Sequence, residues 1–214
     1  KRWGNKSKAL AQWCQEKGWG FCCYDVRGFG ESEGQFTDYT LSDWIADARA
    51  VLDSMKAGPP VTIVGNSLGS WIGWLVAQEF TIVEELILIA PAFNMIGERA
   101  KSISSERLHY WRTAGWMPWD EDPLHRDWPL SWKWIEESEQ YWTKTCDVVR
   151  HVKTTILHGQ DDQVIAPDGS RRFANELVRR HPSFPLDLIL IPGDHRLSGP
   201  EHLELFRRLV TKHR

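Results

Sequence analysis

The sequence has few of the features that direct a chain to a membrane or to nucleic acid. None of its apolar stretches approaches the roughly 20 residues that a membrane-spanning helix needs, and its first residues do not resemble the apolar region of a signal peptide. Its 26 Lys and Arg and 29 Asp and Glu give a net charge of -3 and form no extended basic stripe that would neutralise phosphates. We therefore expect a soluble chain with no membrane span and no nucleic-acid partner.

Cysteine is also scarce, and histidine is not spaced for a metal. The four cysteines are Cys14, Cys22, Cys23 and Cys146. The adjacent pair lies in an apolar run where successive strand side chains point to opposite faces, so reduced, buried thiols fit better than disulfides or a zinc site. The scattered histidines at 109, 125 and 151 lack a pattern such as H-E-x-x-H. We expect no metal, and a cytoplasmic location, or the mitochondrial matrix if a targeting segment has been removed.

Short apolar runs alternate with helical patterns along most of the chain. The runs bounded by turn residues, each typical of a buried parallel strand, are residues 20–24, 61–64, 86–90, 155–158 and 186–191. The helical patterns are residues 6–17, 41–55, 68–80, 168–180 and 200–212. This alternation predicts an α/β fold with a doubly wound, mostly parallel sheet that is covered on both faces. The length and the 42% hydrophobic content favour one domain over residues 1–214.

Residues from about 94 to 150 break this rhythm. The stretch has no convincing strand pattern, and it holds seven of the 13 tryptophans, from Trp111 to Trp142. We interpret it as a small helical cap insertion above the strand ends. Its rings either build an apolar acyl pocket or only pack the cap. Trp71 and Trp74, on the helix predicted after residue 67, are expected in the core.

A possible nucleophile follows the run at 61–64. The segment Gly65-Asn66-Ser67-Leu68-Gly69 matches G-x-S-x-G and stands between a predicted strand and a predicted helix, which is the context of a nucleophile elbow. The terminal glycines would remove side chains that collide with the strand and the helix. Ser67 would then lie at a helix N-terminus, where the Leu68 N–H could bind an oxyanion.

A serine hydroxyl needs a general base and a group that orients the base. Asp161 and Asp162 follow the run at 155–158, and His195 follows the run at 186–191. The chain order serine, aspartate, histidine is that of the α/β-hydrolase triad, although spacing alone leaves Asp161 and Asp162 as alternatives. His158 is expected to pack at the strand end and not to act as a base.

With these residues in place, the sequence resembles the α/β-hydrolase superfamily over nearly its whole length. Residues 24–34 look like its D-x-R-G-x-G-x-S turn, which is structural; their G-x-G-x-x-x-G pattern opens no helix and so does not indicate a dinucleotide loop. Residues 158–164 are similar to the H-G-x-x-D segment, a match that implies Asp162 is the acid.

Within the superfamily, the sequence is similar to small acyl-ester and thioester hydrolases of the abhydrolase-domain type, which include acyl-glucuronide and protein S-acyl esterases and their bacterial relatives. The similar stretches are Ser7-Lys8-Ala9-Leu10-Ala11, the elbow, and Gly193-Asp194-His195-Arg196. Such enzymes have an earlier strand that ends in a His-Gly-aromatic loop with the second oxyanion donor. The resemblance implies that this donor lies at or before Lys1 and that one or more N-terminal strands are missing from the chain.

These expectations combine into a serine esterase or thioesterase that forms an acyl-enzyme and acts on a small-molecule acyl ester or thioester without a cofactor. Ser67 would be the nucleophile, His195 the base, Asp162 the orienting acid and Leu68 an oxyanion donor. The alternative is a non-catalytic ligand-binding protein on a hydrolase scaffold, since a fold does not fix a function.

Overall fold

The protein has an α/β architecture in a computed structural model that describes residues 3–118 and 129–211. The main sheet consists of β1 (Val61–Asn66), β2 (Val83–Ile89), β5 (Lys153–Gly159) and β6 (Leu186–Ile191). Its strand order is β1-β2-β5-β6, and each pair is parallel. The carboxyl ends of all four strands therefore meet at one edge of the sheet, where ligands bind in open α/β sheets.

Eight α-helices lie in the described part of the chain: α1 (Asn5–Lys17), α2 (Leu41–Met55), α3 (Leu68–Ala77), α4 (Met95–Ser102), α5 (Ser105–Ala114), α6 (Trp132–Lys144), α7 (Asp168–Arg180) and α8 (Pro200–Thr211). A short 3₁₀ helix at Phe36–Asp38 precedes α2. None of the helices in these ranges is long and apolar enough to cross a membrane.

The alternation of side chains along β2 divides the core into two layers. Leu86 and Leu88 join one buried cluster with residues of α2, α3 and α7, whereas Ile87 and Ile89 join a second cluster with residues of α8. Leu10 and Trp13 of α1 pack on the second cluster. The central strands are therefore buried on both faces, which explains why they read as continuous apolar runs.

Local sequence fixes the start of α2. The Asp43 carboxylate accepts the backbone N–H of Thr40 at 2.9 Å, as in a capping box. Trp44, Ile45 and Leu52 are buried on the inward face of the helix, as the 3.6-residue period predicts.

The prediction of a strand at residues 20–24 is wrong. The segment has no strand assignment, and no strand of the described residues pairs with it. An apolar alternating run becomes a strand only where a neighbour completes its hydrogen-bond ladder. The expectation of buried thiols is wrong for Cys22, which is exposed in this unpaired segment. Cys14 and Cys146 are buried, and all four cysteines are free of disulfide bonds.

The stretch from residue 94 to 150 contains α4, α5 and α6, but also a two-stranded hairpin that the sequence did not predict. β3 (Trp116–Pro118) pairs antiparallel with β4 (Pro129–Ser131); the two strands are only three residues long, too short for a recognisable alternation. Trp111 and Trp134 of this stretch are buried, so these two rings pack the interior.

The predicted core positions of Trp71 and Trp74 are confirmed, since both are at most 2% exposed. Their indole N–H groups donate to the hydroxyl and the carbonyl of Thr145 at 3.1 and 2.8 Å. These bonds satisfy the polar end of each buried ring and tie α3 to the end of α6.

Candidate active site

Ser67 stands at a sharp turn between β1 and α3. Its backbone has φ 54° and ψ -122°, a region that non-glycine residues rarely adopt. Three backbone hydrogen bonds hold it: its N–H donates to the Ile89 carbonyl at 2.8 Å, and its own carbonyl accepts the N–H groups of Ser70 at 3.0 Å and Ala92 at 3.2 Å. Ser67 is half-buried. The segment thus has the strand-turn-helix geometry of a nucleophile elbow.

The two glycines of the motif differ in what they allow. A Cβ at Gly65 would lie 2.5 Å from the Cα of Ser70, so glycine is required there because the strand passes against the backbone of α3. A Cβ at Gly69 would meet nothing within 4 Å. The expectation that Gly69 also prevents a collision is wrong, because its Cα faces open space.

Leu68 is the first residue of α3. The first four N–H groups of an α-helix have no partner within the helix, and the positive end of the helix dipole lies at the same place. The backbone N–H of Leu68 is therefore suited to hold negative charge that develops beside Ser67.

Asp162 and His195 are joined in the structure. The Oδ2 atom of Asp162 is 2.7 Å from Nδ1 of His195. A carboxylate only accepts hydrogen bonds, so Nδ1 carries the proton and Nε2 keeps the lone pair. Nε2 has no hydrogen-bond partner in the part of the chain that the structure describes, and it is free to take a proton.

The surroundings of Asp162 keep it ionised. The side chain is buried, and its Oδ1 accepts the backbone N–H groups of Val164 and Ile165, both at 2.8 Å. Burial raises the pKa of Asp162, but hydrogen bonds from His158, His195 and Ile165 outweigh it and hold that pKa well below its usual range.

His158 has a polar role that sequence reasoning missed. It is completely buried at the end of β5, as a packing residue would be, but its Nε2 is 3.0 Å from Oδ2 of Asp162, the same oxygen that His195 uses. Its Nδ1 is 2.8 Å from the Oγ of Ser170 on α7. The only signal in the sequence was the spacing of His158 and Asp162 around a turn.

Asp161, the other carboxylate considered as the acid, points elsewhere. Its Oδ2 accepts the Gly193 N–H at 3.0 Å, and its own N–H donates to the Gly193 carbonyl at 3.0 Å. A Cβ at Gly159 would lie 2.3 Å from that same carbonyl. Asp161 therefore fastens the loop after β5 to the loop that carries His195, without contacting the imidazole.

The turn at residues 24–34 is held by hydrogen bonds within the turn and to α2. The Arg27 guanidinium donates to the Asp47 carboxylate of α2 at 2.8 Å, and the Ser32 hydroxyl donates to the Asp25 carbonyl at 2.6 Å. Gly30 has φ 58°, and the Asp25 carboxylate occupies the place where its Cβ would be. No α-helix starts in this segment, so it does not form a dinucleotide loop.

Two expectations about the surroundings of Ser67, the second oxyanion donor and the acyl pocket, stay predictions. The second oxyanion donor, expected at or before Lys1, lies outside the described residues, as do Trp119 and Trp128 of the tryptophan-rich stretch. A cleft of about 460 Å³ lies beside the hairpin, where its lining includes Trp116, Pro129 and Ser131. Its lining includes none of the three residues of the predicted triad, so the acyl pocket stays a prediction.

Comparisons with known proteins give a family match and named relatives of the chain. The family model described as "Serine aminopeptidase, S33" (Hydrolase_4) matches residues 4–114, just over half of the chain. Palmitoyl-protein thioesterase ABHD10, mitochondrial, of Homo sapiens is 25% identical over 94% of the chain, which spans 65% of that relative's length.

Two solved structures have a similar fold over 98% of the chain. Alpha/beta hydrolase domain-containing protein 10 from mouse is 24% identical, with a TM-score of 0.82 over 83% of its length. A putative hydrolase from Agrobacterium vitis S4 is 25% identical, with a TM-score of 0.84 over 82% of its length. The fold and the family match together assign the chain to the serine aminopeptidase S33 (Hydrolase_4) family of α/β hydrolases.

Proposed function

We propose that the chain is a serine hydrolase that cleaves carboxylic esters or thioesters through an acyl-enzyme. The observation that carries the proposal is that three loops lie at the carboxyl ends of the parallel strands: the strained turn of Ser67 after β1, Asp162 after β5 and His195 after β6. Asp162 and His195 are 2.7 Å apart, and no hydrogen bond joins Ser67 to His195 among the described residues. The first two strands are also tied at this edge, by the bond from the Ser67 N–H to the last residue of β2.

In the first half of the reaction, Nε2 of His195 takes the proton of the Ser67 hydroxyl as Oγ forms a bond to the acyl carbon. The carbonyl π electrons move to oxygen, and the Leu68 N–H donates to that oxyanion. Asp162 holds the imidazole in the required tautomer and stabilises its charged form. Collapse of the intermediate breaks the bond to the leaving oxygen or sulfur, which takes the proton from His195.

In the second half, His195 accepts a proton from water as the water oxygen attacks the acyl carbon. The Ser67 Oγ leaves, takes the proton back from Nε2, and the free acid departs. No redox step or external electron donor enters this cycle. A carboxylic ester and a thioester differ only in the leaving atom, so the same residues serve both.

The choice of esters and thioesters over other acyl substrates is supported by the relatives, whose name specifies a palmitoyl-protein thioesterase. The tryptophan-rich stretch fits an apolar acyl group, and we propose that it forms a cap over Ser67 within a single domain. The relatives' names include the word mitochondrial, and on that ground we propose a mitochondrial location as the alternative to the cytoplasm.

Labelling with a fluorophosphonate probe in the full-length protein tests the nucleophile. We expect the wild type to be labelled and Ser67→Ala to be unlabelled. Ser42→Ala is the matched control, since Ser42 is half-buried and bonds to Tyr141 on α6. If the wild type binds acyl esters saturably but is neither labelled nor active, the chain is a ligand-binding protein and the hydrolase proposal fails.

The leaving group and acyl length are tested separately. A panel of p-nitrophenyl esters and acyl-thioesters of graded chain length should be hydrolysed by the wild type and not by Ser67→Ala. Hydrolysis of aminoacyl amides in preference to both groups would contradict the substrate class while leaving the nucleophile intact.

A further inference from the structure

We propose that His158 is a positioning residue for the acid of the site, acting through a buried hydrogen-bond chain that runs from Ser170 through His158 to Asp162. The inference rests on the proposed function, because it assigns a second layer to the same triad. His158, Ser170 and Asp162 lie on β5, on α7 and in the loop that joins them, and none is more than 4% exposed.

The contacts of His158 determine which ring nitrogen carries a proton. Nε2 is 3.0 Å from Oδ2 of Asp162 and also 3.0 Å from the carbonyl oxygen of Ile165. Both partners are acceptors, and a bare nitrogen facing two acceptors would have no hydrogen bond in a buried place. Nε2 is therefore the donor.

Ser170 completes the assignment. Its Oγ lies 2.8 Å from Nδ1 of His158, and a serine hydroxyl can donate to a bare ring nitrogen. With Nε2 protonated, the neutral ring offers its lone pair at Nδ1, and the Ser170 O–H points to it. Ser170 thus holds His158 in the tautomer that donates to Asp162.

The consequence is that both oxygens of Asp162 are fixed independently of the catalytic imidazole. Oδ1 is held by the N–H groups of Val164 and Ile165, and Oδ2 is held by His158. Without His158, the one donor to Oδ2 left among the described residues would be His195 itself, the group whose protonation changes in each turnover. A carboxylate that stays in place while His195 gains and loses a proton is preorganised for the charged imidazole.

Kinetics of position 158 test the role. We expect His158→Leu to lower kcat about 10- to 100-fold, the usual cost of losing an outer-layer partner, with KM unchanged because no substrate contact is lost. His158→Gln, which can place an amide N–H near the former Nε2, should recover most of that loss. Ser170→Ala should lower kcat in the same direction by a smaller factor.

The matched control is His181→Leu. His181 is half-buried, whereas His158 is completely buried, but its ring also bonds a backbone carbonyl, that of Cys146, at the far end of α7. It should leave kcat unchanged. Wild-type kcat in folded His158→Leu, or equal losses in the leucine and glutamine variants, would overturn the positioning role.

A spectroscopic measurement on the wild type depends neither on activity nor on the folding of a variant. In wild-type protein with ¹⁵N-labelled histidine, we expect the His158 ring to show a protonated Nε2 and a bare Nδ1, and Ser170→Ala to weaken that preference. The opposite tautomer in the wild type would refute the chain of donors. If the tautomer is as expected but no ester or thioester is hydrolysed, the proposed function fails and the hydrogen-bond chain stands.

Discussion

Asp162→Asn tests most sharply whether Asp162 or Asp161 is the acid of the proposed triad. The carboxylate accepts four hydrogen bonds in the structure, two at each oxygen, from His158, His195, Val164 and Ile165. An asparagine has one oxygen for these donors. Because two backbone N–H groups are fixed at Oδ1, the amide oxygen should stay there and the amide NH₂ should face the two imidazoles.

This orientation of the amide determines how much kcat should fall. The NH₂ group would donate to Nδ1 of His195 and move its proton to Nε2, so that the ring could no longer accept the proton of Ser67. The corresponding loss in a serine triad is about 10⁴-fold in kcat. The NH₂ group would also face the donor Nε2 of His158, which would keep the Ile165 carbonyl as its acceptor at 3.0 Å.

The assay is kcat on a p-nitrophenyl ester, together with urea unfolding to confirm that the variant is folded. Asp161→Asn is the matched control, since its amide oxygen can still accept the Gly193 N–H; it should change kcat by less than tenfold. An activity loss in Asp161→Asn as large as that expected for Asp162→Asn would show that the acid has been assigned to the wrong residue.

Three further predictions concern stability, each measured by urea unfolding. Gly65→Ala should lower the unfolding free energy by about 1 to 3 kcal/mol, because its Cβ meets the backbone of α3. Gly69→Ala should raise the unfolding free energy by about 0.5 to 1 kcal/mol. Equal effects of the two substitutions would contradict the claim that a side chain collides at position 65 and not at position 69. Burial lowers the pKa of Lys6 to about 8 from its ordinary 10.5, so the folded protein releases this proton before the unfolded chain does. The unfolding free energy should then rise between about pH 8 and 10, and an unchanged slope in Lys6→Met would exclude Lys6 as the cause. Trp134→Ala should cost about 3 to 5 kcal/mol because the ring is buried, while Trp116→Ala, 48% exposed, should stay within about 0.5 kcal/mol.

Much of the fold could be predicted because local patterns and tertiary packing agree. The helices at Leu41–Met55 and Asp168–Arg180 begin and end where the sequence indicates, and the strand at Leu186–Ile191 has its predicted bounds. In both helices, a periodic apolar face is also the face that the core buries, and the strand packs its apolar side chains on both core clusters.

The failures arise where the outcome depends on a distant partner. Residues 20–24 have the composition of a strand, but a ladder needs a second strand that composition does not reveal. The polar role of His158 depends on Ser170, which lies twelve residues further along the chain, on α7. Spacing left Asp161 and Asp162 as alternatives; the family motif favoured Asp162, and the contact with His195 agrees with it.

Backbone strain gives an independent argument for the location of the proposed site. In the described ranges, the non-glycine residues with positive φ are Ser67, Ala90, Asn94 and Leu197, with values between 41° and 54°. All four lie in loops that follow the carboxyl ends of β1, β2 and β6. Such conformations cost about 1 to 3 kcal/mol each and persist only where the surroundings impose them. The sheet places this cost at the edge that also holds Asp162 and His195, and the opposite edge has none of it. Because strained backbone positions cluster at active sites, this distribution supports the proposed site at the carboxyl ends of the strands.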